Sequence, residues 1–339
     1  MFVMINLFAR CKEMRSAKTL LILLLLMYPL NIFALDFQSA LKAAESGNSE
    51  AQFALGIAYY KGDGVNQDFR EAFKWFLKVA EKGNAPAQAI IGNMYFTGLG
   101  GIHNYQESLK WYIKSAEQGY LEAQHHLGLI YSSGQGITKD YKQAYKWFQK
   151  AADQGNADSQ YNLGILYQNG TGVVKNQKES IRWFQKAADQ GNMFAQYNLG
   201  VTYQFGQGVI PDYLEAIKWY EKSAKQGYAH AQYNLAVMFE NGIGVKQNYT
   251  IAVEWYLRAA KQGHSGAQNN LGAMYGEGKG VSKDYIEAYA ILLVAQANGS
   301  ELAMQGLNFL QEQMPSYEIN KAQARAKELY KKWKAKSEE

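Results

Sequence analysis

Cysteine is nearly absent from this 339-residue sequence, in which Cys11 is the only example. A single thiol excludes an intramolecular disulfide and the cysteine clusters that hold structural zinc. Cys11 also lies within residues 1–34, which we interpret below as a leader that is removed. The chain that remains has no thiol, so a cysteine nucleophile is excluded as well.

A large excess of positive charge is missing too. The sequence has 35 Lys and Arg residues against 30 Asp and Glu residues, a net charge of +5. Residues 1–34 hold four of the bases and one of the acids, which leaves 31 bases against 29 acids and a net charge of +2. Nucleic-acid-binding domains carry a basic stripe or patch, so we expect no nucleic acid among the partners.

One strongly apolar run stands near the N-terminus. Residues 1–18 are basic, residues 19–30 are apolar, and the small residue Ala34 precedes Leu35. This layout is typical of a cleaved secretory signal peptide, and it predicts export to the periplasm or out of the cell. The run is shorter than the roughly 20 residues of a membrane-spanning helix. The alternative is an uncleaved anchor ending at Ala34, and only then do we expect contact with a membrane.

In the rest of the chain, a 36-residue sequence pattern is repeated seven times without insertion or deletion. The copies start at Ala51, Ala87, Ala123, Ser159, Ala195, Ala231 and Ala267. A fixed period of this length predicts a solenoid of stacked repeats. We therefore divide the chain into a signal peptide (1–34), an N-terminal capping helix (35–50), seven repeats (51–302), and a C-terminal half repeat with a capping helix (303–339).

Each repeat has the pattern of two helices, here called helix A and helix B. In the fifth copy Leu199 and Tyr203 recur on one face of helix A, and Gly206 is placed to end it. Asp212 stands where an N-cap opens helix B, with Glu215 three residues later as in a capping box. Trp219 marks the inner face of helix B. The chain is therefore predicted to be all-α, a right-handed α-α superhelix of helix-turn-helix repeats.

A glycine recurs in the middle of helix A, at position 6 of the repeat. It is Gly200 in the fifth copy, and only the sixth copy differs, with Ala236. A mid-helix glycine costs about 1 kcal/mol relative to alanine. Its recurrence at one position predicts that a backbone or an aromatic ring approaches closely there.

The repeat pattern A-x-x-x-L-G-x-x-Y-x-x-G-x-G-V-x-x-D-x-x-x-A-x-x-W-Y/F-x-K-A-A-x-x-G resembles the SEL-one-like repeat (SLR) family, which is related to tetratricopeptide repeats. The resemblance covers residues 36 to about 313. It implies a right-handed superhelix whose concave face serves as an adaptor in protein assembly. Some bacterial members act in envelope signalling or in contact with host cells. A cysteine-rich branch resembles penicillin-binding and β-lactamase proteins, and this chain lacks its paired cysteines.

Residues that suggest chemistry are few, and we predict neither an enzyme nor a cofactor. His125 and His126 are adjacent, which splays them about 100° apart on a helix and does not match the i, i+4 spacing of metal ligands. We interpret them as surface or groove residues, and we expect no metal. Ser39 and Lys42 satisfy S-x-x-K, but the K-T-G and S-D-N companions of acyl-enzymes are missing.

Binding must use helix-A positions that packing leaves free, and we select positions 3, 4 and 10. Tyrosine offers apolar area with a hydroxyl, and amides can hold an extended peptide backbone. The candidates for the concave surface are Tyr161, Tyr197, Tyr233, Asn162, Asn198, Asn234, Asn270, Gln168, Gln204 and Glu240.

Three functions fit these features. The first is an exported scaffold that binds a protein or an extended peptide. The second is a binder of cell-wall glycan or peptidoglycan, which the tyrosine and asparagine rows favour. The third, a β-lactamase-like hydrolase, follows only from the resemblance.

Overall fold

The structure is a computed structural model that describes residues 37–338, with side chains described to residue 334. Within this range the regular structure consists of 17 α-helices and no strand, as the periodicity predicts. No helix in this range combines the length and the apolar character that crossing a membrane requires. The predicted leader, residues 1–34, lies outside the described residues.

The chain divides into two compact units, and the first extends to Asn176. Consecutive helices of this unit pack against each other along the chain. Its helices are α1 (Phe37–Glu45), α2 (Ser49–Lys61), α3 (Phe69–Glu81), α4 (Ala85–Thr97), α5 (Tyr105–Glu117), α6 (Leu121–Ser133), α7 (Tyr141–Asp153) and α8 (Ala157–Asn169).

The second unit begins at Gln177. Consecutive helices α9 to α16 pack in the same way, and the last helix, α17, packs on α15. Its helices are α9 (Gln177–Asp189), α10 (Met193–Phe205), α11 (Tyr213–Lys225), α12 (Ala229–Asn241), α13 (Tyr249–Ala260), α14 (Ser265–Glu277), α15 (Tyr285–Ala297), α16 (Ala303–Gln313) and α17 (Ser316–Glu338). Helix A of each repeat is an even-numbered helix from α2 to α14, and helix B is the odd-numbered helix that follows.

Both ends of the A–B turn form as the sequence predicts. Gly62 ends α2 in the left-handed conformation, with φ of 79°, and its N–H donates to the Ala58 carbonyl at 2.8 Å. Asp68 opens α3 because its side chain accepts from the backbone N–H groups of Arg70 and Glu71, at 2.8 and 3.1 Å. The equivalent side chains that cap helix B elsewhere are Asn104, Asp140, Asp212, Asn248 and Asp284.

The predicted capping box is wrong in its second half. In a capping box the glutamate side chain would accept from the N-cap backbone N–H, but the Asp68 N–H donates to the Tyr59 carbonyl at 2.9 Å instead. This bond ties the turn back to helix A. Glu71 is left to pair with Lys74 at 2.5 Å. The same i, i+3 ion pair recurs at Glu107–Lys110, Glu179–Arg182 and Glu215–Lys218.

The mid-helix glycine marks a close approach, as predicted. A Cβ on Gly200 would lie 2.5 Å from Cδ1 of Tyr220, an aromatic ring of the following helix B. Tyr220 is fully buried, and it directly follows Trp219, the tryptophan that recurs in helix B. Trp219 is buried beneath Lys222, whose Nζ lies 3.9 Å from the ring centroid. The predicted tryptophan core is confirmed by burial of Trp75, Trp147, Trp183 and Trp219, whereas Trp111 and Trp255 are half-buried.

A glutamine at position 2 of the repeat links helices that sequence reasoning did not connect. Gln232 is buried, and its Nε2 donates to the Ala224 carbonyl at the end of the preceding helix B, at 3.0 Å. Its Oε1 accepts from Nε2 of Gln262, which lies just after the next helix B, at 2.8 Å. Both groups of the amide are therefore satisfied inside the protein, where an unpaired polar group would be costly. The equivalent donors to an alanine carbonyl are Gln52, Gln88, Gln124, Gln160, Gln196 and Gln268.

Helix α17 covers α15 with one face and exposes the other. Ala322, Ala326, Leu329 and Trp333 are buried, and the guanidinium of Arg325 donates to both carboxylate oxygens of Glu287, at 2.8 and 3.2 Å. Tyr330, next to the buried Leu329, is 40 % exposed.

Candidate binding surface

The ten candidate residues divide between the two units. Tyr161, Asn162 and Gln168 lie on α8 of the first unit, and the other seven lie on α10, α12 and α14 of the second. Each of these four helices is the helix A of its repeat, as predicted. The half-buried members are Tyr197, Tyr233, Asn234, Asn270, Gln168, Gln204 and Glu240.

The other three candidates are less accessible than the pattern predicts. Tyr161, Asn162 and Asn198 are only 4 %, 6 % and 7 % exposed, so the expectation that packing leaves these side chains free is wrong. For Asn198 the reason is local, since its Nδ2 donates to the Phe194 carbonyl of its own helix at 2.8 Å. These three side chains present little surface to a partner.

Five rings of the second unit follow one another in contact, and we call them the aromatic strip: Tyr197, Tyr228, His230, His264 and Tyr233. Successive ring centroids in this order lie 5.1, 5.3, 4.8 and 4.6 Å apart. His230 is exposed and the other four rings are half-buried. The strip therefore offers ring surface that is accessible and held in place by its neighbours.

Hydrogen bonds fix the imidazoles of the strip in their neutral form. Nδ1 of His264 accepts from the Ala267 backbone N–H at 3.1 Å, which leaves the proton on Nε2. This Nε2–H donates to Nδ1 of His230 at 3.1 Å. Burial, with a further contribution from His230, lowers the pKa of His264 to about 4, and burial also lowers the pKa of His230. The strip is therefore uncharged near pH 7.

Two hydrogen-bonded clusters stand beside the strip, one repeat apart. In the amide cluster, Tyr220 Oη donates to Gln204 Oε1 at 2.7 Å. Burial raises the pKa of Tyr220, and a hydrogen bond with Asn234 opposes that rise. The cluster consists of Gln204, Tyr220 and Asn234.

The carboxylate cluster is its equivalent, 36 residues later: Glu240, Tyr256 and Asn270. Tyr256 Oη donates to Glu240 Oε2 at 2.5 Å and accepts from Asn270 Nδ2 at 2.9 Å. Four candidates that the sequence selected separately, Gln204, Asn234, Glu240 and Asn270, thus meet around two tyrosine hydroxyls.

Sequence reasoning missed those two tyrosines and three members of the strip. Tyr220 and Tyr256 belong to helix B, and only their buried rings were implied by the repeat. The repeats differ at this position, where Phe76 and Phe148 lack the hydroxyl that Tyr220 and Tyr256 carry. This difference was the available sign that the two hydroxyls make specific hydrogen bonds. Tyr228, His230 and His264 precede the first repeat position and were assigned no binding role.

The adjacent histidines of the first unit are both half-buried, and their two rings have different surroundings. His125 is half-buried, and its Nδ1 lies 2.8 Å from Ser159 Oγ. Nε2 of His126 is buried without a hydrogen-bond partner, and its ring stacks on Tyr112 with centroids 5.4 Å apart. Burial, and secondarily the charge of His125, lowers the pKa of His126 to about 3. Among the described residues no group of three or more potential ligands is arranged to hold a metal ion.

Ser39 and Lys42, which match S-x-x-K, lie on α1. Both side chains are exposed, and no hydrogen bond joins them in the described chain. A serine nucleophile needs its activating base within hydrogen-bond reach. The two side chains do not form that arrangement in this structure.

Comparison with known proteins agrees with this organisation. The sequence model of the Sel1 repeat matches seven segments, at residues 49–84, 85–120, 121–156, 157–192, 194–228, 229–264 and 265–295. No curated protein sequence is significantly similar to the chain.

Two solved structures are similar in both sequence and fold. A Sel1 repeat protein from Oxalobacter formigenes is 34 % identical, with a TM-score of 0.71 over 81 % of this chain and 79 % of that one. The protein c5321, described as a protective antigen present in uropathogenic Escherichia coli strains and displaying an SLR fold, is 32 % identical. Its TM-score is 0.58 over 89 % of this chain and 72 % of that one. With seven matched repeats and an all-α helical-repeat fold, the chain belongs to the Sel1 repeat family.

Proposed function

We propose that this chain is an exported, non-catalytic scaffold that holds a protein or an extended peptide on the helix-A surface of its second unit. Sel1 repeat proteins generally mediate protein–protein interaction. The observation that carries the proposal for this chain is the aromatic strip, since its five rings are accessible, fixed and uncharged. Tyrosine rings in fixed positions add contact area at low entropic cost, which suits a recognition surface.

The clusters beside the strip extend its recognition chemistry. Gln204, Asn234 and Asn270 bring amide groups next to the rings, and amides both donate to and accept from a peptide backbone. Tyr220 and Tyr256 hold these amides in place through their hydroxyls. An extended peptide laid across α10, α12 and α14 would meet alternating rings and amides.

Site-specific photo-crosslinking in living cells tests the proposal. A benzophenone amino acid replaces Ala273, an exposed residue of α14 on the same helix turn as Asn270, and the control position is Tyr317 on α17. We expect a discrete adduct at position 273, with the partner identified by mass spectrometry, and none of that species at position 317. The adduct should fall strongly in the double variant Tyr197→Ala/Tyr233→Ala.

A matched control tests whether the adduct depends on the tyrosines of the strip or on the loss of any two exposed tyrosines. Tyr213 and Tyr330 are 45 % and 40 % exposed and lie outside the strip, so Tyr213→Ala/Tyr330→Ala should leave the adduct unchanged. Thermal unfolding of both variants establishes that each is folded. Equal adducts at positions 273 and 317, or an adduct insensitive to Tyr197→Ala/Tyr233→Ala, would contradict the proposal.

Export is part of the proposal and has its own test. The basic and apolar segments of residues 1–34 support a cleaved signal peptide. N-terminal sequencing of the exported protein should then begin at Leu35. A chain that retains residues 19–34 would instead support an anchored protein. The relative c5321 is described as a protective antigen, which favours a site of action in the envelope or at the host contact.

A glycan ligand is the second candidate, because rings and amides also suit sugars. Co-sedimentation with purified sacculi distinguishes the two: a glycan binder sediments with them and depends on Tyr197 and Tyr233, whereas a peptide scaffold stays in solution. A nitrocefin assay tests the hydrolase that the resemblance raised, and we expect no turnover.

A further inference from the structure

The two clusters beside the aromatic strip are equivalent except for one functional group. Gln204 and Glu240 stand at the same repeat position, each accepting from the tyrosine hydroxyl of the following helix B. The first cluster therefore presents a neutral amide and the second presents a carboxylate. The two clusters share this hydrogen bond and differ in charge.

The carboxylate of Glu240 is held beside aromatic rings. Its Oε2 accepts from Tyr256, whose ring centroid lies 5.8 Å from that of Tyr233. Burial raises the pKa of Tyr233, and the negative charge of Glu240 raises it further. Glu240 is half-buried, with part of its side chain open to solvent.

Among the described residues no lysine or arginine forms an ion pair with Glu240. Lys279 responds to its charge, but the pKa of Lys279 is raised first by the hydrogen bond and charge interaction with Glu277 and only last by Glu240. Lys279 Nζ lies 2.5 Å from Glu277 Oε2, so those two charges cancel. The histidines of the strip are neutral. One negative charge thus remains on a surface of rings and amides.

We propose that Glu240, together with the half-buried ring of Tyr233, binds the cationic side chain of a lysine or arginine in the bound peptide. Tyr256 is fully buried, and its part is to hold the carboxylate through its hydroxyl. This inference rests on the proposed function and names the partner's chemistry at one position. A fixed carboxylate supplies charge attraction, and the ring of Tyr233 attracts a cation through its quadrupole. The amide cluster at Gln204 receives a neutral part of the same peptide.

The test uses the exported chain, deuterated and labelled with ¹⁵N, and follows the side-chain amide signal of Asn270. The probes are N-acetyl-lysine methylamide and its uncharged analogue N-acetyl-norleucine methylamide. We expect a saturable shift with the lysine probe and none with the norleucine probe. Glu240→Gln, which copies the amide cluster, should weaken lysine binding at least about five-fold, because only the ring of Tyr233 remains to attract the cation.

The reverse substitution provides a gain of function. Gln204→Glu gives the amide cluster a carboxylate, so the Asn234 amide signal should begin to shift with the lysine probe. Equal responses to both probes, or unchanged lysine affinity in Glu240→Gln, would overturn the cation site. Thermal unfolding of the two near-isosteric variants establishes that they are folded.

The crosslinking experiment separates this inference from the proposed function. If the adduct at position 273 depends on Tyr197 and Tyr233 while the lysine probe does not bind, the cation site is wrong and the scaffold proposal stands. If the lysine probe binds through Glu240 but no adduct forms at position 273, the scaffold proposal is wrong.

Discussion

A Cβ placed on Gly128 would lie 2.4 Å from both Cδ1 and Cε1 of Phe148, a buried ring of the following helix. That distance is shorter than any normal contact between carbon atoms. Either the ring or the helix must move to admit a methyl group, so the glycine is required by packing and its low helix propensity is tolerated.

Gly128→Ala is therefore expected to destabilise the protein by about 1–3 kcal/mol, since overpacking a filled core forces side chains from their preferred positions. The matched control is Gly276→Ala, also within a helix, where the added Cβ would meet its nearest neighbour, Ala288 Cβ, at 3.8 Å. There the gain in helix propensity should raise stability by up to about 1 kcal/mol. Urea unfolding followed by circular dichroism measures both, and equal effects would contradict the packing explanation.

Trp219→Ala is expected to cost about 3–5 kcal/mol, because it leaves a cavity in the helix-B core. Trp219 is 4 % exposed and packs beneath Lys222. The equivalent Trp111 is half-buried, so Trp111→Ala should cost less. A loss below about 1 kcal/mol at Trp219 would be inconsistent with a buried aromatic side chain.

Gln232→Leu tests the glutamine link between repeats. The substitution removes the hydrogen bonds that Gln232 makes with the Ala224 carbonyl and with Gln262. We expect a loss of about 1–3 kcal/mol, since two intramolecular hydrogen bonds contribute about 0.5–1.5 kcal/mol each. Gln149→Leu serves as the control, since Gln149 pairs only with the exposed Asp153. If both variants unfold at the same urea concentration, the link contributes nothing.

Acid should destabilise the first unit through His126. Its pKa is lowered from 6.5 to about 3 by burial and by His125, so between these values the unfolded chain binds a proton that the folded chain does not. Stability is then fully present above pH 6.5 and falls as the pH decreases toward 3. From pH 6.5 to 5 the loss amounts to about 2 kcal/mol.

His126→Phe keeps a ring stacked on Tyr112 and removes the titrating nitrogen. Thermal unfolding between pH 7 and 5 should fall less steeply in this variant than in the wild type, whereas replacing the exposed His103 with Asn should leave the slope unchanged. Parallel slopes for wild type and His126→Phe would show that the buried imidazole does not govern acid sensitivity.

The local structure of each repeat was readable from the residues themselves. Gly62 and Asp68 fix the ends of neighbouring helices because left-handed backbone and N-cap hydrogen bonding depend on residue type and on a few adjacent atoms. The period of 36 predicted the helix pairs, and the recurrent glycine predicted the close ring at Tyr220. Because the pattern occurs seven times, each of these inferences rested on several equivalent residues and not on one.

The contacts between repeats were decided only by the tertiary structure. Whether Tyr161 and Asn198 are open to solvent depends on how adjacent helices and their side chains cover them. The same Tyr-Asn dipeptide occurs in two repeats, yet Asn198 is buried and Asn234 is half-buried. The aromatic strip joins residues from positions −2, 0 and 3 of successive repeats, and the clusters join helix B to two different A helices. Packing brings His230 and His264 together across 34 positions of sequence, and Tyr220 and Gln204 across 16. A repeat pattern describes one copy at a time, so it could not specify which side chains would meet.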